Sequence, residues 1–502
     1  MIILVLLVEL IPLQRPSDGW LANYGIWIRT AIQAGAVALA AADQAKFFLA
    51  VLCSVRQLVA LFLAVAVTYT GVAILAAKYV AFPIPFMAIT MSPAFFPLLI
   101  VSFRVVVGDH VFREILAQRA QLYAFIGFLS AQMALLLVYP FYQVLFRAAS
   151  ENVEYELAAI LLLPIIKSAM KNLVSLSISH MEDLVPEAVI FTVDFFNAVY
   201  LATSMQNATS TFTIATVMAI DVIQTGIALH DLNQRTDTIL SRRQQVTGVA
   251  FTHKSVLDAA MSVCRSTHTF RQQNRTYITL PSCLPHELSA SSRLLLEQLQ
   301  KAHDNSPATR SLLVSSVSRE ANTPPSLPAK LKSCCTRLST SSSVVPSDCI
   351  APKMTPEPPS EVLSETLRLL FTTECLILAE YLEAVMPFLY ACFILVMVEL
   401  PNAQYHSELD GVNEQNVHAR VQSIFVYASL ELLSMVGLVM LLGHRGGVKV
   451  LHQLAFTLET QRSLVQGKLL LWMLMVMGFR VVHFGADFTF QFHITSHSSE
   501  GK

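Results

Sequence analysis

The sequence predicts an all-α membrane protein, a polytopic transmembrane helix bundle of about nine spans arranged as six and three around a long cytoplasmic linker. Apolar residues make up 54% of the 502 residues and charged residues only 14%, against about 45–50% and 25% in soluble proteins. Mean hydropathy is +0.55. Apolar stretches of roughly 20 residues, which cross a hydrocarbon core of about 30 Å, recur along the chain. We therefore expect an integral, multi-pass membrane protein whose partner is the lipid bilayer.

The N-terminal segment, residues 1–56, allows two interpretations. Met1–Leu13 is apolar but too short to span a bilayer. Trp20–Ala42 carries three aromatic residues near its start and many alanines after them. Because aromatic side chains concentrate at membrane interfaces, we interpret Trp20–Ala42 as an interfacial or partial helix, with an additional span as the alternative.

Six apolar segments follow in the region 57–230, and three more lie in the region 369–502. Lettered A to I in chain order, they cover 57–77, 84–107, 122–146, 157–178, 184–205, 209–230, 371–398, 421–443 and 469–490. Segment B contains the run FPIPFMAITMSPAFFP, whose prolines interrupt a helix. Interrupted helices line substrate sites in transporters, but prolines also produce simple kinks that neighbouring helices satisfy.

The linker, residues 231–368, sets the orientation of the chain. Its part 303–360 is rich in Pro, Ser and Thr, so it cannot bury enough apolar surface to offset its ordering entropy and should be disordered. The whole linker carries 16 Lys and Arg against 11 Asp and Glu. The short B–C and H–I loops are also basic, and the loops between them are poor in basic charge. Positive charge marks the cytoplasmic side, so the linker and the region before A should be cytoplasmic.

Several function classes are excluded or disfavoured. The 34 Lys and Arg against 35 Asp and Glu leave no basic excess for binding nucleic acid. The chain lacks the phosphate-loop, metalloprotease and nucleophile-elbow motifs, so we expect no enzyme, no cofactor and no metal site. Asn207 begins an Asn-Ala-Thr glycosylation sequon in the E–F turn.

The most informative residues are the charges inside the apolar segments, because an ionised group at a helix centre costs about 2.5–3.5 kcal/mol on insertion scales. Asp194 in segment E and Asp221 in segment F lie equally far from the turn that joins the two segments. In an antiparallel hairpin they therefore lie at the same depth. Lys167 lies near the centre of segment D, and Lys171 follows one turn later. If D packs against E and F, one ammonium meets two carboxylates.

The last three segments repeat this pattern. Glu380 and Glu383 share a helix face in G, Glu431 lies near the centre of H, and Arg480 and His483 share a face near the centre of I. One interpretation is a buried proton or cation site, since paired carboxylates at one depth repel each other. The other is a static network of ion pairs that fixes helix packing. Both interpretations remain open at this point.

Two parts of the chain resemble a known family. The stretch LLLPIIKSAMKNL…EDLVPEAVIFTVDFFNAVYLATSMQN…VMAIDVIQTGIALHDLN and the stretches AEYLEAVMPFLYA, VELPNAQYH and LVQGKLLLWMLMVMGFRVVHFGADFTFQF carry the likeness. They resemble a large family of multi-pass membrane proteins found in oomycete genomes, over roughly 80–235 and 370–493. The resemblance implies a membrane architecture and supplies no activity, ligand or site.

The sequence therefore leads to two hypotheses of different class. The first is a transporter or channel-like protein for protons, cations or a small solute, which uses the intramembrane charges. The second is a non-transporting membrane scaffold or receptor that recruits partners through its cytoplasmic linker. A transporter needs water to reach Asp194 and Asp221, whereas a scaffold tolerates a dry and fully paired cluster.

Overall fold

The computed structural model describes residues 2–149, 153–178, 185–207, 215–220, 222–227, 362–413, 415–446 and 448–485, together with residues 212, 230, 234 and 294. This part of the chain is helical and contains no β-strand, apart from an isolated bridge between His406 and Val481. The predicted all-α class is confirmed for these residues. Most of the linker, including 303–360, lies outside them.

Twelve helices are numbered here in chain order. They are α1 Ile2–Glu9, α2 Tyr24–Leu49, α3 Val55–Tyr79, α4 Ser92–Val107, α5 Asp109–Ala117, α6 Arg119–Ala149, α7 Val153–Ser177, α8 Val185–Gln206, α9 Val362–Met397, α10 Val417–Gly446, α11 Val450–Thr460 and α12 Arg462–Gly478. Short α-helical turns of four residues and short 3-10 helices connect several of them.

Seven of the described helices are long and apolar enough to cross a membrane: α2, α3, α6, α7, α8, α9 and α10. Six of them correspond to the predicted segments A, C, D, E, G and H. Segments B and I form shorter helices, and segment F lies partly outside the described residues. This architecture is compatible with a multi-pass membrane protein, although the seven helices do not reproduce the predicted count of nine.

The seventh long helix, α2, covers most of Trp20–Ala42 and favours the alternative of an additional span over an interfacial or partial helix. It is 26 residues long, and more than half of its most apolar stretch is buried within the protein. Small residues make this packing possible: a Cβ atom at Gly35 would lie 2.4 Å from the ring of Phe62 in α3. Several alanines of this segment are buried in the same apolar core as residues of α3.

Segments B and I are shorter than predicted for physical reasons. The helix in B begins at Ser92, after a separate four-residue helical turn at Met87–Thr90, because Pro93 lacks the N–H that would continue that turn. The helix in I ends at Gly478, where a Cβ atom would lie 1.8 Å from the amide nitrogen of Gln33. Each remaining helix, at about 1.5 Å per residue, is shorter than a hydrocarbon core of about 30 Å.

The chain divides into two compact units. The first comprises Met1–Gln224, Ile377–Gly437 and Arg462–Lys502, and the second comprises Thr225–Leu376 and Leu438–Gln461. Within the second unit, Gln453 donates to the Leu370 carbonyl at 3.0 Å and Thr457 donates to Glu374 at 3.2 Å. These bonds hold α11 against the first turns of α9.

One end of the first unit is built around the loop that joins α9 to α10. At the end of α6, Arg147 donates to the Ser407 carbonyl at 3.0 Å. At the end of α8, the Gln206 amide donates to the Glu408 carbonyl at 3.1 Å. The α9–α10 loop therefore lies at the same end of this unit as the C-terminal ends of α6 and α8. This agrees with successive helices that run in opposite directions, since α7 connects α6 to α8.

Candidate functional site

Four charged side chains from three helices meet inside the first unit, and we call them the Lys167 cluster: Lys167 and Lys171 of α7, Asp194 of α8 and Glu383 of α9. The Lys167 ammonium hydrogen-bonds to Oε1 of Glu383 and lies 3.6 Å from Oδ1 of Asp194. The Lys171 ammonium lies 2.8 Å from the same oxygen of Asp194. Two positive and two negative charges thus meet, with Lys167 between both carboxylates.

Burial differs strongly across the Lys167 cluster. The side chain of Asp194 is 1% exposed and that of Glu383 is 10% exposed. Lys167 is 17% exposed and Lys171 is 38% exposed. The carboxylates therefore form the inner part of the cluster, and Lys171 forms its outer edge.

The local sequence explains how these groups are held. Lys167 and Lys171 are four residues apart in α7, so they share one helix face. Asp194 ends the π-helical stretch Val189–Asp194 within α8, and such stretches occur frequently at functional sites. Almost all of α8 is buried, so Asp194 faces other helices.

The hydrogen bonding of Asp194 is incomplete. Within the described part of the chain, both of its carboxylate oxygens are buried and have no hydrogen-bond partner, although the Lys171 ammonium lies within ion-pair distance of Oδ1. The hydroxyl of Tyr139 is also buried without a partner there, and its ring packs 5.5 Å from Phe196 and 5.3 Å from Tyr200. A buried acceptor without a donor is unfavourable. A proton on Asp194 would turn this group into a donor.

The structure brings together three of the residues singled out from sequence: Lys167, Asp194 and Glu383. Asp194 and Glu383 had been assigned to two separate groups of charges, and Lys167 joins them. The predicted contact of Lys167 with Asp221 lies outside the described residues, because Asp221 is among those that the structure does not describe.

The other acidic residues singled out in the last three segments are also buried. Glu380 of α9 and Glu431 of α10 are 4% and 3% exposed, and both interact with other residues. Asn207, the glycosylation sequon residue, directly follows Gln206 at the end of helical structure in segment E. Its use as a glycosylation site stays a prediction.

Arg480 and His483 depart from the prediction that they share a helix face near the centre of a span. Because α12 ends at Gly478, Arg480 follows the helix and His483 lies in a 3-10 turn. The Arg480 guanidinium binds the Glu408 carboxylate, which lies in the α9–α10 loop. His483 places Nε2 2.6 Å from the carbonyl oxygen of Gln14. Both residues therefore tie together connecting segments.

Sequence reasoning missed the partner of Arg480 because Glu408 looked like an ordinary loop charge. Arg480 also donates to Thr203 at 3.1 Å and lies over the ring of Tyr200 at 4.9 Å. The Tyr390 hydroxyl donates to Glu408 at 3.0 Å. Glu408 is therefore 7% exposed despite its place in a loop.

A second missed group joins the N-terminal helix to the α9–α10 loop. Arg29 binds Glu9 at 2.5 Å, and His406 Nε2 lies 3.0 Å from the same carboxylate. Asn402 donates to the backbone carbonyls of Glu9 and Ile11 at 2.5 and 2.8 Å. Burial opposes the charged form of Glu9, but the hydrogen bond from His406 and the charges of His406 and Arg29 hold its pKa below the usual value. The sequence contained one signal for this group: Arg29 is a charged residue within the alanine-rich segment Trp20–Ala42.

No group of three or more potential ligand side chains that could hold a metal occurs among the described residues. In comparisons with known proteins, no protein-family model, no curated protein and no solved structure matches this chain. The arrangement of the charged side chains therefore carries the functional argument alone.

Proposed function

We propose that this protein is a multi-pass membrane transporter or channel-like protein for protons or small cations, and that the Lys167 cluster is its ion site. The observation that carries the proposal is the environment of Asp194. This carboxylate is 1% exposed, lies near two ammonium groups and has no hydrogen-bond donor on either oxygen among the described residues. Ionisable groups inside membrane helices are costly and mark ion pathways and proton relays.

The geometry suggests how charge would move. A proton that binds Asp194 removes its negative charge, which weakens its attraction for Lys171 and Lys167. Lys167 keeps Glu383 as a partner. Lys171 lies about 6 Å further along α7, at the exposed edge of the cluster, so its ammonium is the group that can turn away. The cluster then alternates between a paired and an opened state.

The experiment is proton flux into proteoliposomes that contain the full chain and a pH-sensitive dye. We expect Glu383→Gln to reduce the flux strongly, because Lys167 would then be balanced by Asp194 alone and would compete with Lys171 for it. The control is Asp18→Asn, a change of acid to amide at an exposed position. Equal flux in wild type and Glu383→Gln, with both proteins folded, would rule out this role for the cluster.

The alternative is a non-transporting scaffold or receptor. Two observations favour it: the charges of the Lys167 cluster balance, and Asp194 is only 1% exposed, as expected of a dry cluster. Static ion pairs between helices fix packing without moving. A scaffold would retain partner binding in Glu383→Gln and would lose it when residues 303–360 are deleted. Pull-down of binding proteins with both variants, together with the flux measurement, separates the two functions.

A further inference from the structure

A large apolar cavity lies apart from the Lys167 cluster, among α2, α3, α4, α5 and α6. Its volume is about 600 Å³, within the range of about 300–1,000 Å³ that is usual for ligand sites. The lining is almost entirely aliphatic and aromatic, and the few polar side chains include Thr30, Gln33 and Ser130. Such a surface binds hydrocarbon, because an ion or a sugar would lose its hydration there without enough replacement partners.

The cavity is long and follows the direction of the helices. Along α2 it is lined by a stripe of residues from Thr30 to Leu49, spaced at three and four positions. At 1.5 Å per residue, this stripe is about 28 Å long, close to the thickness of a hydrocarbon core of about 30 Å. On α6 the lining runs from Leu122 to Leu137. The shape suits an extended acyl chain that lies parallel to the bilayer normal.

The walls of the cavity place it within reach of lipid. Three of the helices that line it, α2, α3 (through Tyr69) and α6, are among the seven that are long and apolar enough to cross a membrane. Ser130 and Ile126 line the cavity and are exposed to the surroundings of the protein. A lipid tail can therefore enter from the side, without crossing a polar layer.

Residues that line one end of the cavity have basic neighbours in the chain, and we call these neighbours the basic rim. Leu49 of α2, Phe112 of α5 and Leu122 of α6 line this end, and the Arg104 guanidinium lies 5.8 Å from the centre of the Phe112 ring. Exposed basic residues near these positions in the chain are Lys46, Arg56, Arg104, Arg113 and Arg119, and exposed acidic residues are Asp43, Asp109 and Glu114.

Two of the three acidic groups at this rim already have partners. Asp109 accepts a hydrogen bond from Nε of Arg104 at 2.5 Å, and Glu114 lies 3.3 Å from a ring nitrogen of His110. A guanidinium that uses Nε for one carboxylate still has donors on its two terminal nitrogens. Arg104, Arg113 and Arg119 therefore offer charge to a phosphate group at the rim.

We propose that this cavity binds an anionic glycerophospholipid, with one acyl chain along α2 and α6 and the head-group phosphate at the rim of Arg104, Arg113 and Arg119. The charge distribution along the chain assigns this end to the cytoplasmic side, where anionic lipids are concentrated. The apolar lining selects the tail, and the basic rim selects the head group.

The test uses the full chain in phosphatidylcholine vesicles doped with a photoreactive lipid that carries a diazirine near the end of one acyl chain. The dopant is phosphatidylglycerol in one sample and phosphatidylcholine in the other, and labelled peptides are mapped by mass spectrometry. We expect phosphatidylglycerol to label peptides of α2 and α6 in preference to the exposed face of α3. The phosphatidylcholine probe should label these peptides less.

Variants locate both parts of the site. Ala41→Phe and Ser130→Phe fill the cavity from α2 and α6, so they should reduce labelling of α2 and α6 severalfold. Ala60→Phe makes the same change as Ala41→Phe at an exposed position of α3 outside the lining and should have no effect. Ser130 is exposed, so its replacement tests the cavity even where Ala41→Phe fails to fold.

Arg113→Gln and Arg119→Gln test the rim. Each is expected to lower the ratio of phosphatidylglycerol to phosphatidylcholine labelling about fivefold, since a basic residue near an anionic surface contributes about 1 kcal/mol. Equal labelling by the two lipids in the wild type would overturn the proposal. So would labelling of α2 and α6 that Ser130→Phe, correctly folded, leaves unchanged.

Discussion

At the scale of single residues, buried charge in this protein is placed beside opposite charge from a distant part of the sequence. Glu187 of α8 binds Lys468 of α12, and Arg480 binds Glu408. Breaking a buried pair leaves an uncompensated charge, which costs about 3–5 kcal/mol. The single substitutions that remove one partner should therefore be among the most destabilising in the chain.

Glu9 provides a test of this expectation. Glu9→Gln removes the charge that Arg29 and His406 face, and we expect the free energy of unfolding to fall by about 3–5 kcal/mol. Thermal unfolding of the purified protein in detergent measures the effect. Asp18→Asn changes an exposed acid in the same N-terminal segment and should alter stability by less than about 0.5 kcal/mol. Equal effects of the two substitutions would contradict the buried pairing.

The same residue predicts a pH dependence. The pKa of Glu9 in the folded protein lies below its usual value of 4.5. Glu9 therefore contributes its full stabilisation above the pKa of the unfolded chain and loses it as pH falls through the lower, folded pKa. The melting temperature of the wild type should drop more steeply than that of Glu9→Gln as pH is lowered below about 4.5. If the melting temperatures of the wild type and Glu9→Gln fall in parallel as pH is lowered, the lowered pKa of Glu9 is contradicted.

At the scale of helices, the close packing of α2 on α3 depends on Gly35. A Cβ atom at this position would lie 2.4 Å from the Phe62 ring, so Gly35→Ala forces the ring or the helix to move. We expect Gly35→Ala to destabilise the protein by about 1–3 kcal/mol. Gly71→Ala in α3 is the matched control, because nothing lies within 4 Å of a Cβ atom there and alanine favours a helix by up to about 1 kcal/mol. Chemical denaturation of both variants should show effects of opposite sign.

The sequence predicted the strongly apolar helices well, and it failed where tertiary contacts decide the outcome. Apolar length alone is enough to specify a helix in segments A, C, D, E, G and H. The helix Tyr24–Leu49 was hard to interpret from sequence because alanine and glycine give a weak hydropathy signal, and whether it crosses the membrane stays a prediction. At the end of α12, Gly478 lies so close to Gln33 that a Cβ atom would clash with it, and apolar length in segment I could not reveal this close approach.

The candidate site was predictable only in part. The depth of Lys167 and Asp194 within neighbouring segments placed them near each other, and the structure shows them 3.6 Å apart. Glu383 could not be assigned to Lys167, because 216 residues separate the two in the chain. Glu408 could not be assigned to Arg480, since a carboxylate in a loop is ordinarily solvated. The roles of all these residues stay predictions.

At the scale of the whole molecule, a membrane-crossing α2 would change the predicted position of the N-terminus. The contacts of Glu9 with His406 join the N-terminal segment to the α9–α10 loop, which the charge pattern places opposite the cytoplasm. A glycosylation tag before α1 should therefore be modified in microsomes, whereas a tag within 303–360 should stay unmodified. Modification of the tag within 303–360 alone would mean that the topology is the inverse of the predicted one. If neither tag is modified, the N-terminus lies in the cytoplasm.

Proton transport through the Lys167 cluster is tested most directly by proton flux in proteoliposomes with three forms of the full chain: wild type, Asp194→Asn and Asp194→Glu. We predict flux in the wild type, none in Asp194→Asn, and partial recovery in Asp194→Glu, because glutamate restores a group that can bind a proton beside Lys167 and Lys171. Flux in folded Asp194→Asn equal to that of the wild type, or no flux above that of empty vesicles in any form, would contradict the proposed function.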